Sequence, residues 1–164
     1  MRRIRRAAPD DLPALLEIYA GARRFMAENG NPHQWGEGFP PRAALEADIA
    51  AGRSYVCEQD GKIAAAFVFT TAGEPTYRVI RGGAWLDDAP YGVVHRLAAA
   101  ERGRGAAAYC LEWCLAQCGN VRIDTHRDNL PMQRLLARLG YVRCGIIELE
   151  NGRGEHLAYQ KRAE

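Results

Sequence analysis

The chain has 164 residues, of which 48% are hydrophobic and 26% are charged, and its formal net charge is +2. This length and composition predict one folded domain, residues 1–164, with a sizeable core. The 22 basic and 20 acidic residues are interspersed, and no apolar run is long enough to cross a membrane. These patterns argue against nucleic-acid and membrane partners and predict a cytoplasmic protein.

The first predicted elements are a short strand over residues 3–7 and a helix that begins at Pro9 and ends near Glu28. A proline followed by two acidic residues is typical of a helix start, and apolar residues recur at helical spacing after it. A second, shorter helix is expected over residues 41–51.

The loop between these helices, residues 29–41, is rich in glycine and proline but carries Trp35 and Phe39. Two interpretations of Trp35 stay open. It either closes the edge of the core or lines a substrate pocket, and in the second case both aromatic residues contact the substrate.

A hairpin is predicted next, with strands over residues 53–58 and 62–70 joined by Asp60-Gly61. An Asp-Gly pair between two apolar runs is a strong signal for a tight hairpin turn. Residues 73–92 show no clear periodicity, and their structure is left open.

The central part of the chain predicts a strand, a turn, a helix and a second strand. The first strand contains Val93 and, within its apolar run, His95 and Arg96. The turn at residues 102–107, RGRGAA, combines two glycines with two arginines and precedes an amphipathic helix that ends at Gly119. Because the first N–H groups of a helix lack intrahelical partners, this turn is predicted to bind a phosphate or diphosphate.

The strand over residues 121–126 completes a crossover that joins two parallel strands. A helix that ends at Gly140 follows it. Residues 141–149 and 154–161 then predict an antiparallel hairpin around Asn151-Gly152. The expected fold class is α/β, a mixed sheet with helices on both faces.

The five cysteines have no CxxC pair and no Cys/His spacing typical of a metal site. Cys110, Cys114 and Cys118 share one face of a predicted helix, whereas Cys57 and Cys144 fall in predicted strands. Buried, reduced thiols and no metal ion are expected.

The turn at residues 102–107 matches the central motif of the GNAT superfamily of N-acetyltransferases, which is Gln or Arg, two variable residues, Gly, one variable residue, then Gly or Ala. Asp124-Thr125-His126 and the run from Leu135 to Tyr141, which ends in Leu-Gly-Tyr, are also similar to that family. The chain therefore resembles the GNAT superfamily over nearly its full length. The resemblance implies one acetyltransferase domain whose mixed, mostly antiparallel sheet has a parallel central strand pair that splays apart at the cofactor site.

The resemblance also implies that acetyl-CoA is the cosubstrate. Its pyrophosphate would bind the backbone amides of the turn, and its pantetheine arm would pair with the exposed edge of the fourth strand. The predicted cofactor-binding residues are Leu97, Ala98, Ala99, Arg102, Gly103, Arg104, Gly105, Ala106, Ala107 and Asn129.

The implied reaction is direct attack of a primary amine of a small molecule on the thioester. Two alternatives stay open, namely acetylation of a peptide N-terminus or lysine, and an acyl-CoA-binding module without turnover. Relatives in the family often form homodimers, so a homodimer is a further possible partner.

Leu136 departs from the family pattern, because many relatives have a tyrosine there that protonates the leaving thiol. His126 and His95 are the predicted catalytic replacements. Both are placed on the strands that would flank the acetyl group, and imidazole titrates near neutral pH.

Overall fold

The computed structural model describes residues 1–150 and 154–164, and seven strands of this part form one sheet in the order β1-β2-β3-β4-β5-β7-β6. The strands are β1 (Arg2–Arg6), β2 (Ser54–Gln59), β3 (Lys62–Thr70), β4 (Gly92–Ala99), β5 (Asn120–Thr125), β6 (Val142–Glu148) and β7 (Glu155–Arg162). The helices are α1 (Leu12–Glu28), α2 (Arg42–Ala50), α3 (Ala106–Cys118) and α4 (Leu130–Arg138).

Neighbouring strands run antiparallel except β4 and β5, which are parallel and are connected through α3. Buried residues of α1 and α2 pack with Val56 and Ala66 on one face of the sheet. Buried residues of α3 and α4 pack with Cys57 and Phe67 on the other, as the alternation of side chains along a strand requires. The predicted mixed sheet with helices on both faces is confirmed.

The predicted elements are present, and most of their ends differ from the expected ones by a residue or two. The first helix was expected to begin at Pro9, but α1 begins at Leu12, and Pro9–Asp11 form a 3-10 turn before it. The open segment, residues 73–92, contains a short 3-10 turn at Pro75–Tyr77. Farther on, Arg81 forms two backbone hydrogen bonds with Ile146 of β6, at 3.0 and 2.9 Å. The predicted turn at Asn151-Gly152 lies outside the described residues.

The parallel strands β4 and β5 separate partway along their length. β4 pairs with β5 only over residues 92–94, whereas its pairing with β3 continues to Ala99. Between these ends β4 has a bulge, because its residues from His95 to Ala98 span only Val68 to Ala66 of β3. The predicted splay is thus present, and residues 95–99 of β4 have no strand partner on the β5 side among the described residues.

Arg96 lies in this bulge with a φ of +51°, a conformation that non-glycine residues rarely adopt. Its carbonyl oxygen accepts a hydrogen bond of 2.9 Å from the hydroxyl of Tyr19, which is buried in α1. Its guanidinium pairs with the buried carboxylate of Asp48 in α2. Both helices on this face therefore hold the bulge in place.

All five cysteines are free, and four of them are buried. Burial raises the pKa of the Cys57 and Cys144 thiols, which keeps them protonated at neutral pH. Within residues 1–150 and 154–164, no cluster of three or more His, Cys, Asp or Glu side chains is arranged to bind a metal ion. In the same ranges, no helix has the length and apolar character needed to span a bilayer.

Candidate active site

Two clefts meet where β4 and β5 separate. One, of about 660 Å³, lies between α1, the end of β4, the start of α3, and α4. The other, of about 550 Å³, is lined by the loop before α2, the segment after β3, and the central strands. Met26, Leu97, Asn129 and Met132 line both clefts, which are therefore continuous.

The first cleft collects nine of the ten predicted cofactor-binding residues. They are Leu97, Ala98, Ala99, Arg102, Gly103, Gly105, Ala106, Ala107 and Asn129. The tenth, Arg104, is not among the lining residues. Its side chain is 71% exposed and its Nε donates to Glu101 Oε2 at 3.1 Å. Arg104 is thus directed to the surface.

The turn before α3 and the first residues of that helix line the first cleft. Gly103 and Gly105 have φ values of +73° and +79°, so this backbone shape favours glycine at both positions. Gly105 is the N-cap of α3, and its position provides no side-chain oxygen to bond the first N–H groups of the helix. The helix start is therefore chemically suited to an anion.

Four arginines contribute to the same cleft, and sequence reasoning had singled out only Arg102. Its guanidinium stacks on the Phe25 ring at 3.6 Å. Burial, together with repulsion from Arg134, lowers its pKa. The others are Arg24 of α1 and, one turn apart on α4, Arg134 and Arg138. The helical spacing of this last pair was a signal in the sequence that could have identified them.

The loop before α2 forms part of the second cleft, which both Trp35 and Phe39 line. Trp35 is also buried in the core, where its ring lies edge-on to Tyr19 at 5.7 Å. The two interpretations of Trp35 are therefore compatible. Gln34 fixes the loop, since its Oε1 accepts a hydrogen bond of 2.9 Å from Asn129 Nδ2, while Asn129 Oδ1 caps α4.

His95 lines the second cleft and is held by a carboxylate. Its Nε2 lies 3.1 Å from Glu74 Oε1, and Glu74 also accepts hydrogen bonds from the backbone and hydroxyl of Thr76. The hydrogen bond with His95 is the main cause that lowers the pKa of Glu74 to about 2. Glu74 is thus ionised at the near-neutral pH at which His95 is expected to act.

Glu74→Gln is expected to reduce the acid sensitivity of the fold. A carboxyl group whose pKa falls from 4.5 to about 2 on folding contributes stability that is present above pH 4.5 and is lost as the pH falls toward 2. We expect the wild type to lose about 1–3 kcal/mol more than the variant over this range. Urea unfolding at a series of pH values measures the difference. The control is Glu112→Gln, on the exposed face of α3, whose free energy of unfolding should depend on pH as that of the wild type does. If Glu74→Gln showed this same pH dependence, the low pKa of Glu74 would be contradicted.

His126 follows β5, as predicted, but is not among the described residues that line either cleft. Its Nδ1 accepts a hydrogen bond of 3.0 Å from the backbone N–H of Asp128. Burial lowers its pKa, so the neutral ring is favoured. The ring stands edge-to-face against the His156 ring, with centroids 5.7 Å apart.

A buried hydrogen-bonded group of Tyr77, Asp124 and His156 was missed by sequence reasoning. The Tyr77 hydroxyl donates a hydrogen bond of 2.6 Å to Asp124 Oδ2. His156 Nδ1 lies 2.6 Å from Asp124 Oδ1. Burial raises the pKa of Asp124, but the hydrogen bonds from His156 and Tyr77 outweigh it, and the pKa is lowered overall. Asp124 and His156 line the second cleft.

The comparisons with known proteins bear on this geometry. The sequence profile of the Acetyltransferase (GNAT) family matches residues 13–141, which is most of the chain. The chain belongs to the GNAT acetyltransferase family. No curated protein sequence matches it.

Solved structures of GNAT acetyltransferases share the fold. A GNAT-family acetyltransferase from Streptococcus agalactiae 2603 is 34% identical, with a TM-score of 0.91 over 99% of this chain and 96% of that one. One from Listeria monocytogenes 4b F2365 is 19% identical, with a TM-score of 0.70 over 98% and 94% of the two chains. The ribosomal-protein-S18-alanine N-acetyltransferase from Escherichia coli is 16% identical, with a TM-score of 0.63 over 100% and 95%. At 19% and 16% identity, the last two comparisons establish only a shared fold.

Proposed function

We propose that this GNAT acetyltransferase transfers the acetyl group of acetyl-CoA to the primary amine of a small molecule. The observation that carries the proposal is the junction of the two clefts beside the unpaired edge of β4, residues 95–99. One cleft fits a long, anionic thioester and the other an acceptor. Their junction is the place where the two reacting groups meet.

The first cleft is assigned to acetyl-CoA. The N–H groups at the start of α3 bind the pyrophosphate, because the N-cap residue Gly105 has no side chain that could bond them instead. Arg24, Arg102 and the α4 arginines supply positive charge for the phosphates. Arg104 is directed to the surface, so the backbone and the other arginines carry this role.

The pantetheine arm is assigned to the open edge of β4. Leu97, Ala98 and Ala99 offer backbone groups there that no strand of the described chain pairs on the β5 side. An arm with two amides can form strand-like hydrogen bonds with such an edge. Asn129 lines both clefts and so marks the end of the cofactor site nearest the acceptor.

The second cleft is assigned to the acceptor amine, with Trp35 and Phe39 as its aromatic wall. The amine nitrogen attacks the thioester carbonyl, and a backbone N–H of the β4 edge stabilises the negative charge that develops on the oxygen. Of the two predicted catalytic histidines, His95 lines this cleft, and we place it beside the reacting groups. The role of His126 stays a prediction that His126→Ala tests through turnover.

The leaving thiol needs no tyrosine in this scheme. Leu136 occupies the position where relatives often have one, and its side chain is wholly buried in the core. A thiol with a pKa near ~8.5 is a tolerable leaving group as the thiolate. The reaction therefore proceeds without an acid at this position.

The test is thiol release from acetyl-CoA in the presence of a panel of small primary amines and of peptides with free N-termini. We expect release that depends on one class of small amine. Release with peptides alone would favour the alternative of peptide acetylation. Tight acetyl-CoA binding with no acceptor-dependent release across the panel would favour a binding module and overturn the proposal.

A further inference from the structure

His156 is the most deeply buried histidine in the acceptor cleft, and the side chain is only 4% exposed. It lies on β7, next to β5, and shares a 2.6 Å hydrogen bond with Asp124. A carboxylate can only accept a hydrogen bond, so the proton of a neutral His156 ring sits on Nδ1. The opposite nitrogen, Nε2, then carries a free lone pair.

This Nε2 is buried and has no hydrogen-bond partner among the described residues. A second polar atom of the same cleft, the hydroxyl oxygen of Thr125, is also buried without a partner in the described chain. A buried polar atom without a hydrogen bond is energetically unfavourable. Such an atom beside a cleft therefore favours a ligand that brings an N–H donor.

His95, by contrast, uses its Nε2 to contact Glu74. His126 uses its Nδ1 to accept the backbone N–H of Asp128 and lies outside the described lining of the cleft. Of the three histidines around the junction, His156 combines a place in the cleft wall with an unpartnered nitrogen and a carboxylate that fixes the ring.

We propose that His156 is the general base that deprotonates the acceptor, and that Asp124 and Tyr77 are the residues that position it. The inference rests on the proposed function and identifies the acceptor as an amine that arrives as an ammonium ion. Its N–H donates to His156 Nε2. The same arrangement, a carboxylate that orients an imidazole, recurs in many enzymes that use histidine as a base.

The protons balance as follows. One ammonium proton moves to His156 Nε2 and is later released to solvent through the cleft. The neutral amine then forms the N–C bond with the thioester carbonyl, and the C–S bond breaks with its electron pair on sulfur. A second proton leaves the nitrogen as the amide forms and is taken up by the CoA thiolate.

The charged groups around His156 are compatible with this role. Asp124 on β5 stays ionised, because its hydrogen bonds lower its pKa in spite of burial. Tyr77 remains a donor to it, because burial and Asp124 itself raise the tyrosine's pKa. The His126 ring, 5.7 Å away, is kept neutral by burial. The Glu74–His95 pair lines the same cleft.

The decisive experiment measures His156→Gln with acetyl-CoA and the best amine of the panel. We expect kcat to fall about 100-fold at neutral pH, while the Kd for acetyl-CoA stays within about twofold. The deficit should shrink as the pH rises, because the amine then loses its proton without help. Asp124→Asn should change the pH profile in the same direction. An exposed histidine in the loop before α2 provides the matched control, His33→Gln, which should behave as the wild type.

Two further measurements separate a catalytic role from a structural one. Added imidazole should restore part of the turnover of His156→Ala and leave the turnover of His33→Gln unchanged. Nitrogen NMR of the labelled wild type should show the Nδ1-protonated tautomer of His156. An unchanged pH profile in a folded His156→Gln protein, or the Nε2-protonated tautomer, would overturn the inference. Absence of turnover in the wild type would instead contradict the proposed function, and the tautomer would still decide on His156.

Discussion

Replacing Gly105 by valine is expected to abolish acetyl-CoA binding, with a loss of affinity of at least about 100-fold. Gly105 has a φ of +79°, and a Cβ there would lie 3.5 Å from the guanidinium of Arg2. A β-branched residue is strained in this conformation, so the turn must change shape and the N–H groups at the start of α3 lose their direction. Losing two hydrogen bonds to a charged ligand, each worth about 1.5–3 kcal/mol, accounts for the size of the effect.

The matched control is Gly119→Val, at the other end of α3. Gly119 has a φ of +73°, and a Cβ there meets no atom within 4 Å. Both variants should lose about 1–2 kcal/mol of folding stability through backbone strain. Only Gly105→Val should lose acetyl-CoA binding, and Gly119→Val should bind it normally. Titration calorimetry and thermal unfolding give the two quantities. A folded Gly105→Val protein with normal affinity would show that the turn does not hold the pyrophosphate.

The second large effect concerns Leu136. This side chain is fully buried against the α3 face of the sheet, so Leu136→Ala is expected to lower the free energy of unfolding by about 2–5 kcal/mol. Leu136→Tyr overfills the same space and buries a hydroxyl, and we expect a loss of about 1–3 kcal/mol with no gain in turnover. Both are measured by urea unfolding.

Leu130 provides the control for Leu136, because it lies on the same helix but is 52% exposed. Leu130→Ala should change the free energy of unfolding by no more than about 0.5 kcal/mol. If Leu136→Tyr instead increased kcat, the position would reach the reacting sulfur, and the scheme without an acid there would be wrong.

The first cleft, which we propose binds acetyl-CoA, was largely predictable because its determinants are local in sequence. The turn at residues 102–107, the amphipathic pattern of α3 and the cap at Asn129 are each defined by residues a few positions apart in the chain. Glycine conformation and unsatisfied helix N–H groups predict an anion site there without knowledge of the tertiary structure. The surface position of Arg104, whose Nε pairs with Glu101, was not predictable, because local sequence does not determine the direction of a side chain on a turn.

The second cleft, which we propose binds the acceptor, was less predictable because it is assembled from distant parts of the chain. Tyr77 and His156 are separated from Asp124 by 47 and 32 residues, and sequence periodicity gives no strand register. Tyr77 also lies in a segment with no helical or strand pattern. The bulge at Arg96 depends on contacts with α1 and α2, so the splay of β4 from β5 followed from the family resemblance alone.

The contact between Arg81 and Ile146 also bears on how the protein behaves at high concentration. β6 is one edge of the sheet, and the open N–H and C=O groups of an edge strand can pair with another chain. Arg81 satisfies both backbone groups of Ile146, which interrupts such pairing in the middle of β6. The opposite edge, β1, has the sequence RRIRR, and charged side chains on an edge strand disfavour pairing with another chain. Both ends of the sheet are thereby protected against edge-to-edge aggregation.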